Sequence, residues 1–264
     1  MTEVESGDSS LEPDIEKGRR FVAANPPPGD LLLVGVTGSH HYGFPSPDSD
    51  IDLKGIHLAP LGAVLGLDKL AETHDKLEMF EDLECDLTTH EAKMALGLML
   101  KGNGNLLERI FSPYQLINGP DIPRLRELAS GSLSRLSYNH YAGYFRGMQR
   151  EHRRDQRAKS LLYTWRVALT GVHLLTTGEV VAHLPTLAPI YGFSEISELI
   201  ERKVSTHEKE PLTEAESARW TADWDALARM LVAARDNSPL PRDPQNRAAC
   251  SDWLVKRRLE NRRS

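Results

Sequence analysis

The stretch Val36–Ile56, VTGSHHYGFPSPDSDIDLKGI, decides how this chain is to be read. Upstream, LLLVGVTG is a continuous apolar, β-branched run ending at Gly38, the pattern of a buried strand. Downstream, DIDLKGIHL alternates polar and apolar residues, so a second strand follows a turn-rich connection. Side chains i and i+2 of a strand share a face, so Asp50 and Asp52 project together while Ile51 and Leu53 point into a core. Lys54 falls on the carboxylate face as well.

Two adjacent carboxylates repel unless a positive charge lies between them. An oxygen-only ligand set suits Mg²⁺ or Mn²⁺, and Mg²⁺ is commonly held by one or two carboxylates together with substrate phosphates. A third acid on a neighbouring strand allows two metals about 3.5–4 Å apart to clamp the attacking and leaving oxygens of a displacement at phosphorus. EDLECDLTTHE supplies Asp82, Glu84 and Asp86 on one face, and periodicity alone does not choose among them. The Gly38-Ser39 turn offers backbone N–H groups to a polyphosphate.

The rest of the chain sets the context. With 264 residues, 40% of them hydrophobic, it is long enough for one large or two modest domains. No apolar run reaches membrane-spanning length, and the acidic, polar start lacks the layout of a secretory signal, so a cytoplasmic protein is expected. Cys85 and Cys250 have neither disulfide-framework nor zinc spacing. A net charge of −6 argues against coating nucleic acid by charge alone. Locally, however, Arg135 to Arg166 carries eight basic residues against Glu151 and Asp155.

Residues 1–13 read as a disordered tail, DIEKGRRFVAAN as a short helix, and KLEMFEDLECDLTT as one or two strands. Beyond residue 89 helical periodicity dominates. Thr89 is the expected N-cap of the first helix, and Asn105 with Glu108 has capping-box spacing for the second. Further helices are expected over 124–152, 156–177, 194–204, 213–235 and the closing segment. The fold expected is α+β: a catalytic part with a mixed sheet over residues 14–122, then a mostly helical part over 123–264.

GSHHYGFPSPDSDIDLKGI resembles the signature of the polymerase-β-like nucleotidyltransferases: a Gly-Ser turn, about ten residues, then Asp-x-Asp. Tyr42-Gly43, DSDID, Lys54-Gly55 and MLKGNGNLLERIFSP narrow the resemblance to predicted nucleotidyltransferases associated with RNA ligases, over roughly residues 30–170. That family more often has proline where Gly104 stands. The resemblance implies that Gly38, Ser39 and Tyr42 contribute to nucleotide binding and that Asp50 and Asp52 bind both metals. It makes Asp86 the third acid, on the catalytic metal. Lys159, Tyr163 and Arg166 lie on one helix face, and the resemblance assigns Lys159, with Arg166, to the triphosphate.

The expected activity is transfer of NMP from an NTP to a hydroxyl, RNA being the implied acceptor and an RNA ligase or other repair protein a possible partner. Transfer of AMP to a protein or small molecule is the alternative, and a non-catalytic nucleotide sensor a second. If the basic residues of 135–166 line the cleft, RNA gains; if they lie on the far face, a non-nucleic acceptor gains. Asn103 and Asn105 could reach a base or sugar, or simply end helices. His40 and His41 read as positioning or exposed groups, Asp48 and Ser49 as turn formers, and the Arg166/His173 spacing as coincidence. The basic end, KRRLENRRS, is either a frayed terminus or an aid to holding an RNA backbone.

Overall fold

The computed structural model describes residues 12–117, 119–205 and 211–260; most of the expected 1–13 tail lies outside them. In chain order the elements begin with α1 (Ile15–Ala24), β1 (Asp30–Val36), α2 (Gly38–Tyr42), β2 (Ile51–Leu58), α3 (Leu61–Leu65), β3 (Thr73–Phe80) and β4 (Leu83–Glu91). Helices follow: α4 (Ala92–Met99), α5 (Gly104–Phe111), α6 (Ile122–Ser132), α7 (Ser137–Asp155) and α8 (Ala158–Thr177). The chain continues through α9 (Leu184–Ile190), α10 (Ile196–Ser205), α11 (Glu214–Thr221), α12 (Trp224–Asp236) and α13 (Arg247–Glu260). The fold is α+β with a mixed sheet, as expected.

The sheet runs β1-β2-β4-β3, with β2 and β4 parallel and the other pairs antiparallel. One face is closed by α1: Phe21 and Val22 pack with Val34, Ile51, Leu53, Cys85 and Leu87. Toward the other ends of the strands, Ile56 and Leu58 enter a larger core with Leu96, Leu106, Leu161 and Trp165. Hydrophobic packing is therefore continuous from the sheet into the helices.

Several local expectations are corrected. Thr89 sits inside β4, its hydroxyl 2.9 Å from His57 Nδ1, because strand pairing extends through it; Glu91 caps α4 instead by accepting from the Lys93 N–H. Asn103, not Asn105, caps α5, accepting from Leu106 N–H at 3.2 Å. Glu108 is too deeply buried to cap and has another partner. The helix expected over 124–152 breaks at 133–136, where Ser134 and Ser137 are buried, and 213–235 divides at 222–223. Two arginines of the closing helix are already engaged: Arg257 pairs with Asp121, ahead of α6, at 3.1 Å and Arg258 with buried Glu91, at the end of β4, at 2.7 Å. Residues 261–264 lie outside the described residues.

Candidate active site

The acids are assembled by strand register. β2 and β4 pair Asp52 with Asp86, which places both on one sheet face in adjacent strands, about 4.8 Å apart. Asp50 lies one residue before β2. Glu84 is exposed one period away from Asp86, and Asp82 lies in the β3–β4 turn at φ 64. Lys54, two residues along β2, donates from Nζ to Asp86 Oδ2 at 2.6 Å and to Thr88 Oγ1 at 3.1 Å.

The Gly38-Ser39 segment forms the opening of α2, a one-turn helix rather than an open turn. Its entrance is pinned to β2 by Thr37 N–H donating to the Asp52 carbonyl at 2.8 Å. Gly38 has φ +65, a conformation that favours glycine, and a Cβ there would fall 1.8 Å from Asp52 Oδ2. The Asp52 carboxylate therefore rests against the bare Gly38 backbone. Ser39 is buried, and its Oγ has no hydrogen-bond partner.

Asp52 is electrostatically strained. Burial is the main cause that pushes its carboxyl up to about 6, followed by the charge of Asp50; Asp86 raises it further, while Lys54 and Lys159 pull it down. Lys159, from α8, thus acts on the same carboxylate as the strand residues. The loop that presents Asp50 is held from the helical side, where buried Lys203 donates to Phe44 O at 2.8 Å and to Ser46 Oγ at 3.1 Å. Within that loop Ser49 Oγ accepts from Ser46 N–H, the turn-forming role expected of it.

A cavity of about 200 Å³ opens here, with Gly38, Asp52, Lys54, Asn105, Arg109 and Tyr163 in its wall. Beside it, a second of about 290 Å³ shares Tyr144 and Tyr163 and adds Arg157 and Lys159. A roomier groove of about 670 Å³ lies between α7, α11 and α12, and it holds none of the three acids.

Arg166 is 0% exposed and gives Nη1 to both Glu108 oxygens at 2.8 Å. Tyr42 and Tyr141 hydroxyls donate to the same carboxylate at 3.1 and 3.2 Å, and the Arg166 guanidinium stacks 3.9 Å from the Tyr42 ring centroid. This places Arg166 and Tyr42 in a closed ion-pair network behind the cavity, although Tyr42 also touches the cavity wall. The network explains Gly104: a Cβ there would come 2.6 Å from the Tyr141 ring.

Arg109 and Tyr144, which the sequence reading did not single out, both reach the cavity. Arg109 is buried, holds Gly55 O at 2.9 Å, and has its basicity pushed down to about 10 by burial. The signal was present in NLLERIF, where two charged residues fall within a helix turn buried on both sides. His41 is buried and pushed down to about 4 by desolvation, so it is neutral at pH 7. Arg166 and His173 share no chemistry, since His173 Nδ1 is 3.0 Å from Tyr191 OH.

The basic excess does not converge on the acids. Tyr144 and Met148 face the cleft, whereas Arg146 and Arg153 line the groove on the opposite side of α7. Arg154 pairs with Glu151, and Arg135 binds the Leu240 carbonyl. Of the eight basic residues, Arg157 and Lys159 line the cleft.

Residues 15–256 match the model of the RlaP family, described as an RNA repair pathway DNA polymerase beta family. The chain belongs to this family. Comparison with curated proteins finds no match. Among solved structures, a nucleotidyltransferase-like protein from Exiguobacterium sibiricum 255-15 aligns over 94% of this chain and 89% of its own. At 13% identity and a TM-score of 0.32, that likeness carries no assignment.

Proposed function

We propose that this member of the RlaP family transfers NMP from an NTP to an acceptor hydroxyl on RNA, with release of pyrophosphate. The NTP lies where the strand part (14–122) meets the helical part (123–264). The observation that carries the reading is the juxtaposition of Asp52 with Asp86 on one sheet face, against the glycine cradle at Gly38 and within reach of the Lys159 charge.

The donor set fits a hard divalent cation. Its oxygens are carboxylates, Asp52 is pushed towards protonation by burial and by its neighbours Asp50 and Asp86, and the buried Ser39 hydroxyl is unpartnered. Among the described residues, no three His, Cys, Asp or Glu side chains stand close enough to form a ready-made metal cluster. Asp86 Oδ2 is engaged by Lys54, so Asp86 joins Asp50 and Asp52 as Lys54 gives it up. Mg²⁺ or Mn²⁺ held by these three acids would neutralise charge at the reacting phosphorus.

The protein's own groups orient the reactants. Gly38 and Ser39 approach the phosphates, Lys159 draws the triphosphate towards the helical side, and Tyr163 and Asn105 bound the nucleoside. The acceptor oxygen bonds to the α-phosphorus as the bridging bond to the β-phosphate breaks. Its proton passes to Asp86 and then to solvent. Arg166 and Tyr42 act behind this surface, holding α8 and α2 together through Glu108.

A second reading keeps the chemistry and changes the acceptor to a protein hydroxyl. It is favoured by one observation, the position of Arg146 and Arg153 on the side of α7 away from the cleft. Incubation with each α-³²P-labelled NTP, Mg²⁺ or Mn²⁺, and pooled RNA separates the two. Label entering RNA, and absent with Asp50→Ala/Asp52→Ala, is the expected result; label entering protein moves the acceptor; no label with any donor ends the transferase reading.

A further inference from the structure

The sheet face that carries the acids does not stop at them. Paired residues in adjacent strands share a face, so the row formed by Asp52 and Asp86 continues to Leu77, the partner of Asp86 on β3. The next row pairs Glu84 with Met79. Leu77 therefore stands about 5 Å from Asp86 and about 10 Å from Asp52, measured across the strands.

These two side chains are misplaced for an ordinary edge strand. Leu77 is 64% exposed and Met79 65%. On the opposite face, towards α1, the same strand places the Lys76–Glu78 ion pair and Phe80, which packs on Phe21 at 5.4 Å between ring centroids. Strands with one solvated face normally turn their charges outward and their large apolar groups inward. In β3 the exposed apolar pair looks across the catalytic face.

We propose that Leu77 and Met79 form the floor on which the terminal nucleoside of the acceptor RNA lies. The inference rests on the transferase reading and names the part of the acceptor that the site recognises. Gly38, Tyr163 and Lys159 occupy the β1 and α8 flank of Asp52, which leaves the β3 flank as the approach for the attacking hydroxyl. A ribose hydroxyl brought to Asp86 from that flank carries its base over Leu77 and Met79. The rim is acidic, with Asp75 and Glu84 exposed on the same face, and repels a phosphodiester track while accepting a neutral, flat base. This also accounts for a cleft that reads an RNA end although Arg146 and Arg153 lie on the far side of α7. The end is held by apolar contact, not by a phosphate clamp.

The test uses the full chain and Leu77→Ser/Met79→Ser, whose positions are exposed enough to leave folding intact. A 5′-fluorescein single-stranded RNA with a free 3′-hydroxyl reports binding by anisotropy, and NTP binding is measured separately by calorimetry. The double variant is expected to weaken RNA binding about five- to tenfold while NTP affinity stays within twofold, the loss being that of two apolar contacts to one base. Leu77→Phe/Met79→Phe is expected to retain or tighten RNA binding. Equal RNA affinity in wild type and serine variant overturns the proposal. So does wild-type protein that binds no RNA, and so does NTP-derived label entering a protein acceptor with loss of that labelling in the serine variant. Because anisotropy needs no turnover, failure of the floor is distinguishable from failure of the transferase reading, which shows as absent labelling despite bound RNA and NTP.

Discussion

Two clusters of charge meet near the start of α2, and they are built on opposite plans. Around Glu108, one carboxylate receives Arg166, Tyr42 and Tyr141, so a buried charge is matched and its oxygens are fully used. Around Asp52, the three carboxylates Asp50, Asp52 and Asp86 face two cations, Lys54 and Lys159, and the buried Asp52 is pushed towards protonation. A low-dielectric interior tolerates the first arrangement because Arg166 neutralises the Glu108 charge while its guanidinium stacks on the Tyr42 ring, although Arg166 Nε and Nη2 lack hydrogen-bond partners. The second is relieved by protonation of Asp52 or by added positive charge, and on the reading proposed above that charge is a divalent cation.

The comparison breaks most easily at its closed side. Glu108→Gln leaves Arg166 buried and uncompensated, and equilibrium urea unfolding should show a loss of about 3–5 kcal/mol. A loss under about 1 kcal/mol would show that the network does not hold α5 and α8 together.

The open side should respond with the opposite sign. The Asp52 carboxyl is raised from 3.8 to about 6 in the folded protein, so the folded state binds more protons than the unfolded one between those values. Stability contributed at low pH is therefore lost as pH rises from about 4 to 6 and stays lost above. Asp52→Asn should stabilise the metal-free protein by about 2 kcal/mol at pH 7 and by little at pH 4, while transfer falls by at least about a hundredfold. Unfolding at the two pH values checks the first part, and α-³²P labelling the second.

Gly38→Ala tests the cradle that joins the two. With φ +65 and Asp52 Oδ2 in the way, the substitution should cost about 1–2 kcal/mol in thermal unfolding and weaken NTP binding more than RNA binding. The smallest stability effect belongs to Lys54→Met. Its pairing with Asp86 is partly solvated, so stability should move by no more than about 1 kcal/mol, and Mn²⁺ binding in the absence of nucleotide should tighten because Asp86 is released.

Much of the strand frame was legible from β-branched runs and period-two alternation, which are local signals. The same rule applied to Asp50-Ile51-Asp52 put Asp52 on its strand face, whereas Asp50 lies one residue before β2. The neighbour of Asp52 was not legible from periodicity, because Asp86 comes beside it through parallel pairing of strands 34 residues apart. Arg166 shows the same limit more sharply. Its spacing from Lys159 and Tyr163 suggested a shared ligand, but its partner Glu108 lies on another helix, and a one-dimensional pattern does not distinguish a paired buried guanidinium from a free one. The missed α9, LPTLAPI, carries prolines at its first turn and near its end, residues that read as loop although the first of those positions tolerates proline.

The central claim, that the Asp52 cluster lacks positive charge which a divalent cation supplies, is tested most directly by Mn²⁺ titration followed by electron paramagnetic resonance, with and without NTP. Wild-type protein should bind Mn²⁺, more tightly with NTP present, and Asp52→Asn should lose that binding although its fold is at least as stable. Undiminished Mn²⁺ binding by Asp52→Asn, or none by the wild type with NTP, would contradict the account.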